Sequence, residues 1–433
     1  MNAWVLTVLA ASRVLTLNEA LETARTHQPQ LRQAAAEVRA ARARATQARA
    51  PLLPQVNATL RYGLSTTNRL PQVGTNTVGT RTAVFDDTPD AGFSRPTFAN
   101  STNGSVQVTQ LLWDFGQTWN RFQAAQFNAE AAGQDAETRM NTVLYGVRAA
   151  FFSAQAAKEM LVVAKETLAN QERHYDQVAG FVEVGTRPAI DLAQARTDRA
   201  NARVQLIAAQ NSYASARAAL NQAMGVEGPT DYDVGGDRLA VIAEENRPLE
   251  EIVEQALAGR PDVDALHSRI RAQQELVAAA RGAYGPSLSL THGLNASGAD
   301  TNIAANVTLV GLSMSWNLFN GLGDWARVQE AEANVTSLSA QVDSLRQQVR
   351  LEIEQAQLGV HGAAESLVAA EEALQAARDR LRLAEGRYET GVGNIIELGD
   401  AQLALTNAAA QKVRGEFDLS AARAQLMRTL GTP

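Results

Sequence analysis

Two stretches of this 433-residue chain spell the same pattern at one constant offset, and such self-similarity commits the fold to two like copies. Leu112-Trp113-Asp114 and Trp119-x-Arg121-x-Gln123 return as Leu318-Phe319-Asn320 and Trp325-x-Arg327-x-Gln329, a shift of 206 residues. The same shift carries Gly185 to Gly391, Asp191 to Glu397, Leu192 to Leu398, Leu220 to Leu426 and Gly225 to Gly431. Upstream the offset becomes 232: Leu17, Glu19, Ala24, Pro29, Arg49 and Pro54 answer to Leu249, Glu251, Ala256, Pro261, Arg281 and Pro286. The difference, 232 − 206 = 26 residues, is an insertion in the first copy between Pro54 and Leu112. Thr66–Asn103 lies there, rich in Thr, Asn, Gly and Pro and without hydrophobic period, so it reads as a long polar loop. Its counterpart is the short Ser297–Ala305.

The copies span 17–225 and 248–433, joined by a linker at 226–247. Each predicts helix, strand, loop, strand, very long helix, turn, helix. The helices are expected at Leu17–Ala50, Gly116–Glu183 and Ala189–Met224, then at Leu249–Gly282, Leu322–Glu389 and Ile395–Leu430. A long helix is about 100 Å and a short one about 50 Å, so two short helices end to end could flank a long one as a rod. The seam Leu192, Ala195, Arg199, Ala202, Leu206, Ala209, Tyr213, Ala216, Leu220 keeps 3,4 spacing and alternates large with small residues. A soluble coiled coil would show the same seam.

The strands argue for something else. They are expected at about 55–65, 104–114, 286–295 and 306–319. Val56, Ala58, Leu60, Tyr62 and Leu64 alternate with Asn57, Thr59, Arg61, Gly63 and Ser65; Leu288–Asn295 and Val310–Leu318 alternate likewise. Val106, Val108 and Leu112 form a weaker case, interrupted by Gln110. Strands of about ten residues with this dyad suit a membrane barrel, apolar outside and polar inside. A half-buried soluble sheet alternates identically. Yet the helices are accounted for by the rod, which leaves the apolar face to lipid. Four strands cannot close a barrel and open edges are not viable in a bilayer, so several protomers would contribute. Trp113, Phe115, Trp119, Trp316, Phe319 and Trp325 cluster where strands give way to long helices, as an interfacial aromatic girdle or as junction packing.

Composition removes most other classes. There is no cysteine, so disulfides, thiolate metal sites and a thiol nucleophile are excluded. The net charge of −7 offers no basic footprint for nucleic acid. His27, His174, His267, His292 and His361 are scattered without ligand spacing, and neither a phosphate-binding loop nor a Gly-x-Ser-x-Gly elbow is present. We therefore expect no enzyme, no cofactor and no metal site. Trp4–Ala11 resembles the tail of a secretory signal, so residues 1–16 are a candidate signal remnant, although no Lys or Arg precedes the run.

Taken together, the duplicated strand-to-helix segment, the first helices ending in Pro, and the turn segments Glu183–Asp191 and Tyr388–Glu397 resemble the TolC outer-membrane factor family over nearly the whole chain. The resemblance implies a mainly α fold with four strands per protomer. Three protomers would form an α-helical barrel continuous with a twelve-stranded transmembrane β-barrel, reaching from the outer membrane into the periplasm, with the linker at the equator. The implied function is the exit duct of a tripartite efflux pump or type I secretion system. Its partners would be a periplasmic adaptor (membrane fusion) protein and an inner-membrane pump or ABC transporter. The resemblance places a Tyr–Asp contact at the periplasmic gate on Tyr388 and Asp191, an acidic entrance on Glu397 and Asp400, and adaptor-contacting turn tips on Gly185, Thr186, Arg187, Gly391, Val392 and Gly393. Some relatives carry an Arg where Gly393 stands. A Tyr388 hydroxyl donating to the Asp191 carboxylate is the bond expected to hold the gate. The rival reading is a soluble coiled-coil scaffold or a periplasmic adaptor, which would stay soluble without detergent.

Overall fold

The computed structural model describes residues 13–67, 97–299 and 302–431. In chain order these form β1 (Arg13–Leu15), α1 (Leu17–His27), α2 (Pro29–Arg49), β2 (Gln55–Thr67), β3 (Thr97–Trp113), α3 (Gln117–Glu183) and α4 (Ala189–Met224). After the linker strand β4 (Tyr232–Val234) come α5 (Leu249–Gly259), α6 (Pro261–Gly282), β5 (Ser287–Ala299), β6 (Asn302–Ser315), α7 (Gly323–Glu389) and α8 (Ile395–Thr429). The first helix of each copy, expected as one piece, is two. It breaks at Gln28 in one copy and at Arg260 in the other, both extended (ψ 119° and 123°). Pro29 and Pro261 follow, and a proline ring pushes the residue before it out of the helical region. Part of the segment read as a signal remnant also belongs to the fold: Arg13–Leu15 pairs parallel with Tyr232–Val234. Thr16 then caps α1 in a capping box with Glu19, each accepting from the other's backbone N–H at 3.2–3.3 Å.

The chain divides into two compact units, each assembled from both copies. The helical unit comprises Met1–Ala41, Asn128–Ile270 and Ser337–Pro433. One of its cores gathers Leu17, Ala20, Leu21 and Ala24 of α1 with Leu144, Val147 and Phe151 of α3 and Leu220 and Met224 of α4. A second joins Ile252, Val253 and Ala256 of α5 to Val349, Ile353 and Val360 of α7 and Leu426 of α8. Polar anchors fasten the linker to these helices. The Asp233 carboxylate accepts from the Tyr213 hydroxyl at 2.5 Å and pairs with Lys158 at 2.8 Å. Arg217 donates to the carbonyls of Thr230 and Tyr232, and Arg423 pairs with buried Glu245 at 2.8 Å.

The other unit, Arg42–Phe127 with Arg271–Thr336, holds an antiparallel sheet of four strands in the order β2-β3-β5-β6. Its register sorts side chains into rows by polarity. Val56, Val108, His292 and Val310 lie abreast, as do Ala58, Val106, Leu294 and Thr308. Polar rows such as Gln55, Thr109, Thr291 and Gly311 flank them, and hydroxyls join across strands at Thr59–Ser105 (2.6 Å) and Ser289–Ser313 (2.8 Å). Gln110, which interrupts the apolar alternation of β3, donates to the carbonyls of Leu52 and Leu111. Among the described residues β2 and β6 each have one paired neighbour, so the sheet has two open edges.

Several strand boundaries differ from expectation: β5 runs to Ala299 and β6 starts at Asn302, so most of the short loop expected at Ser297–Ala305 is paired strand. β3 begins at Thr97 and pairs on both sides, so 97–103 is strand where a loop was expected; residues 68–96 of that loop lie outside the described residues. β6 stops at Ser315, leaving Trp316–Phe319 beyond the strand; the Trp316 indole donates to the Tyr284 carbonyl at 2.9 Å. From strand to long helix the chain turns through two successive residues of positive φ in each copy, Phe115–Gly116 (54°, 80°) and Gly321–Leu322 (69°, 68°). The glycine sits at opposite places in the two pairs, so each copy accepts one strained apolar residue. The Phe115 ring occupies the space a Cβ on Gly285 would need.

Candidate functional site: the tips of the two helical hairpins

Both long helices end in the same way. The Gly185 N–H donates to the Val182 carbonyl and the Thr186 N–H to that of Phe181, both at 3.0 Å; Gly391 donates to Tyr388 (3.2 Å) and Val392 to Arg387 (3.0 Å). These are paired Schellman caps, and they need a left-handed residue, which the glycines supply at φ 77° and 78°. The caps turn α3 into α4 and α7 into α8, and Asn394 starts α8 by accepting from the Glu397 N–H at 2.8 Å. Thr186 and Val392 stand exposed beside their glycines.

Between the hairpins lies one small core: Val178 of α3, Ala195 of α4, Ala384 and Tyr388 of α7, and Leu398 and Ala401 of α8. Tyr388 is its largest member, 1% exposed. The His174 ring meets it edge-on at 5.5 Å and Phe181 lies at 6.4 Å. From the first hairpin Arg187 reaches across. Its guanidinium lies over the Tyr388 ring at 4.5 Å and donates to the carbonyls of Tyr388 (3.1 Å) and Gly393 (3.4 Å).

The structure brings Asp191 and Tyr388 into this neighbourhood but does not join them. The Tyr388 hydroxyl is buried without a hydrogen-bond partner among the described residues, so the expected bond to the carboxylate is not made there. Asp191, itself buried, acts through its charge. Burial pushes the Tyr388 phenol above its ordinary pKa; Arg187 opposes that shift and Asp191 adds to it. His174 is pushed down by burial, against the pull of Asp198 and Asp191. The two acids expected at the entrance are unequal: Glu397 is paired with Arg387 at 3.1 Å, whereas Asp400 is exposed. At Gly393 a Cβ would sit 3.0 Å from the Arg387 carbonyl carbon and the Tyr388 nitrogen, so a side chain there requires the turn to give by a few tenths of an ångström.

Sequence reasoning overlooked His174 and saw Arg187 only as a tip residue. His174, Val178 and Phe181 follow 4,3 spacing on α3, a seam pattern that would have flagged the histidine. The six junction aromatics Trp113, Phe115, Trp119, Trp316, Phe319 and Trp325 belong to the other unit, and all are exposed. Trp113 packs edge-on against Phe115 at 6.1 Å, and Trp119 against Phe122 at 5.7 Å.

This architecture recurs in known proteins. The Campylobacter jejuni CmeC outer membrane channel superimposes with a TM-score of 0.78 at 19% identity, over 96% of this chain and 85% of that one. In sequence, the probable outer membrane lipoprotein SilC of Salmonella typhimurium is 27% identical over 45% of this chain and 42% of its own length. The toluene efflux pump outer membrane protein TtgF of Pseudomonas putida is also 27% identical, over 64% of this chain and 53% of its own. The chain thus spans about half the length of these curated relatives. The family model for outer membrane efflux proteins matches residues 20–226 and 252–432, both repeats with only the linker between them, and the chain belongs to that family.

Proposed function

We propose that the chain is one protomer of a trimeric exit duct in a bacterial outer membrane, reaching into the periplasm. In this reading it serves a tripartite efflux pump or a type I secretion system, as a passive conduit gated at its hairpin tips. The observation that carries it is the sheet. Leu60 is 76% and Met314 69% exposed, Val56, Leu64, Val310 and Leu312 are similarly bare, and both sheet edges are unpaired. Water penalises the first feature and a bilayer forbids the second unless the sheet closes. Three copies of four strands give a closed twelve-stranded barrel, apolar rows outward and hydroxyl rows lining the lumen. The junction aromatics then mark the membrane–water boundary on the periplasmic side.

In the helical unit, Tyr388, Asp191, Glu397 and Asp400 form the periplasmic gate and entrance. The turns Gly185–Arg187 and Gly391–Gly393, exposed at Gly185, Thr186, Gly391 and Val392, are where a periplasmic adaptor docks, linking the duct to an inner-membrane pump or ABC transporter. Fractionation and conductance test the proposal together. The protein should sediment with membranes, require detergent for extraction, run as a trimer by native mass measurement and form ion-conducting channels in planar bilayers. Recovery as a soluble, detergent-independent species would end it.

A further inference from the structure

We propose that Arg61 forms a cationic collar inside the barrel, and that this collar is a binding station for multivalent oxyanions passing along the lumen. The inference rests on the closed-barrel reading above. Among the described residues, the four strands β2, β3, β5 and β6 carry a single charged side chain, Arg61, and neither Asp nor Glu. Register sets its face. Leu60, Tyr62 and Leu64 of the same strand are exposed on the apolar side, and successive side chains of a strand point to opposite faces. Arg61 therefore shares the hydroxyl face, where water solvates it; toward lipid an arginine is among the costliest of residues.

Its surroundings on that face are neutral. Asn103 and Ser297 lie abreast of it. Thr59 and Ser105, joined by their hydroxyls at 2.6 Å, flank it on one side, and Gly63 and Ser101 on the other. No carboxylate stands in these rows to neutralise the guanidinium, and arginine keeps its charge at any working pH. In a ring of copies every Arg61 stands at the same height. Twelve strands enclose a lumen between that of about eight, which side chains fill, and that of about sixteen, an aqueous channel. A long side chain in such a lumen stands in the path of what passes. Rings of arginine or lysine favour anions, and the planar fork takes two oxygens of a phosphate, sulfate or carboxylate at once. Several forks about one axis suit an anion that carries several such groups.

The test uses the full chain as wild type, Arg61→Gln, Arg61→Lys, Arg61→Cys and Leu60→Cys, each verified as an intact trimer. The chain has no cysteine of its own, so each introduced thiol is unique. Currents are recorded in planar bilayers with inorganic tripolyphosphate as the probe. It should block the wild type, with the half-blocking concentration raised roughly ten-fold in Arg61→Gln and partly restored in Arg61→Lys. Arg61→Gln should also strengthen cation preference in a salt gradient. A membrane-impermeant sulfonated thiol reagent should change the current through Arg61→Cys and leave that through Leu60→Cys as it was. Block that Arg61→Gln does not weaken would overturn the collar while the duct stands. So would a reagent that acts on Leu60→Cys and spares Arg61→Cys, because the arginine would then face lipid. A wild type that conducts nothing would remove duct and collar together.

Discussion

The backbone of Gln28 lies so close to Gly225 that a Cβ on the glycine would fall 2.6 Å from the Gln28 Cα. Gly225 is the left-handed cap of α4 (φ 72°), and the Gln28 side chain donates to the last carbonyls of the same helix, at Gln222 and Ala223. The second copy sets Arg260 against Gly431 (φ 75°), with Arg260 donating to the Thr429 carbonyl and pairing with Asp262 and Glu352. In both copies, the break made by a proline in one helix is therefore the surface on which another helix ends.

Substituting the two glycines by alanine should be unequal. Left-handed strain costs roughly 1–2 kcal/mol at either site. Gly225→Ala must also displace backbone, whereas Gly431→Ala meets first the flexible Arg260 Cγ at 3.2 Å. Thermal unfolding in detergent should show the larger loss for Gly225→Ala.

Acid should loosen the tip through His174. Its folded pKa lies below the ordinary value of about 6.5, so the neutral form is the one the fold prefers. The contribution is complete above about pH 6.5 and is lost as pH falls through the depressed folded value. Asp191 and Asp198 on α4 moderate the effect, while Arg187 and the Tyr388 ring stand on the other side. Thermal midpoints between pH 7.5 and 5 should fall less in His174→Phe than in wild type.

Removing the Glu245 carboxylate strands a cation. Arg423 and Glu245 are 14% and 8% exposed at their side chains, and breaking such a buried pair typically costs about 3–5 kcal/mol. Glu245→Ala should release the linker, seen as faster limited proteolysis within 226–247. Replacing Asp379 by Ala leaves Arg382, already 76% exposed, in water and should cost under about 1 kcal/mol.

Charge at the entrance should depend on Asp400 more than on Glu397, whose carboxylate Arg387 already neutralises. Reversal potentials in a salt gradient should show a greater loss of cation preference for Asp400→Asn than for Glu397→Gln. Equal effects would mean that the Arg387 pair opens in the working channel.

Shortening the first copy's loop has a defined limit. Deleting 70–94 spares every residue of the β2–β3 and β3–β5 ladders, and the trimer should survive by native mass. Extending the deletion through 97–103 removes paired strand and should abolish it.

The elements were legible where side chains keep a period. β2, β5 and most of β6 alternate, the long helices carry a seam, and the 206-residue offset located both tips. Thr97–Asn103 was not legible because its side chains do not alternate; it is a strand through the partners it meets in β2 and β5. The breaks at Gln28 and Arg260 were signalled by the prolines after them, but helix resumes after a single residue, which hides the interruption. The reach of Arg187 to residues about 200 positions away depends on how the hairpins pack, which spacing alone does not specify.

The open-edged sheet has a further property in its arithmetic. Running β2 to β6, the strands point alternately up and down, and because four is even the last points opposite to the first. When β6 of one copy meets β2 of the next in a head-to-tail ring, the seam is antiparallel like every pairing inside the copy. Parity is thus satisfied for any whole number of copies. An odd strand count per copy would have forced a parallel neighbour at each joint. The duplication that set two strands in each half made ring closure indifferent to copy number, so in the proposed trimer the number three is left to the helices.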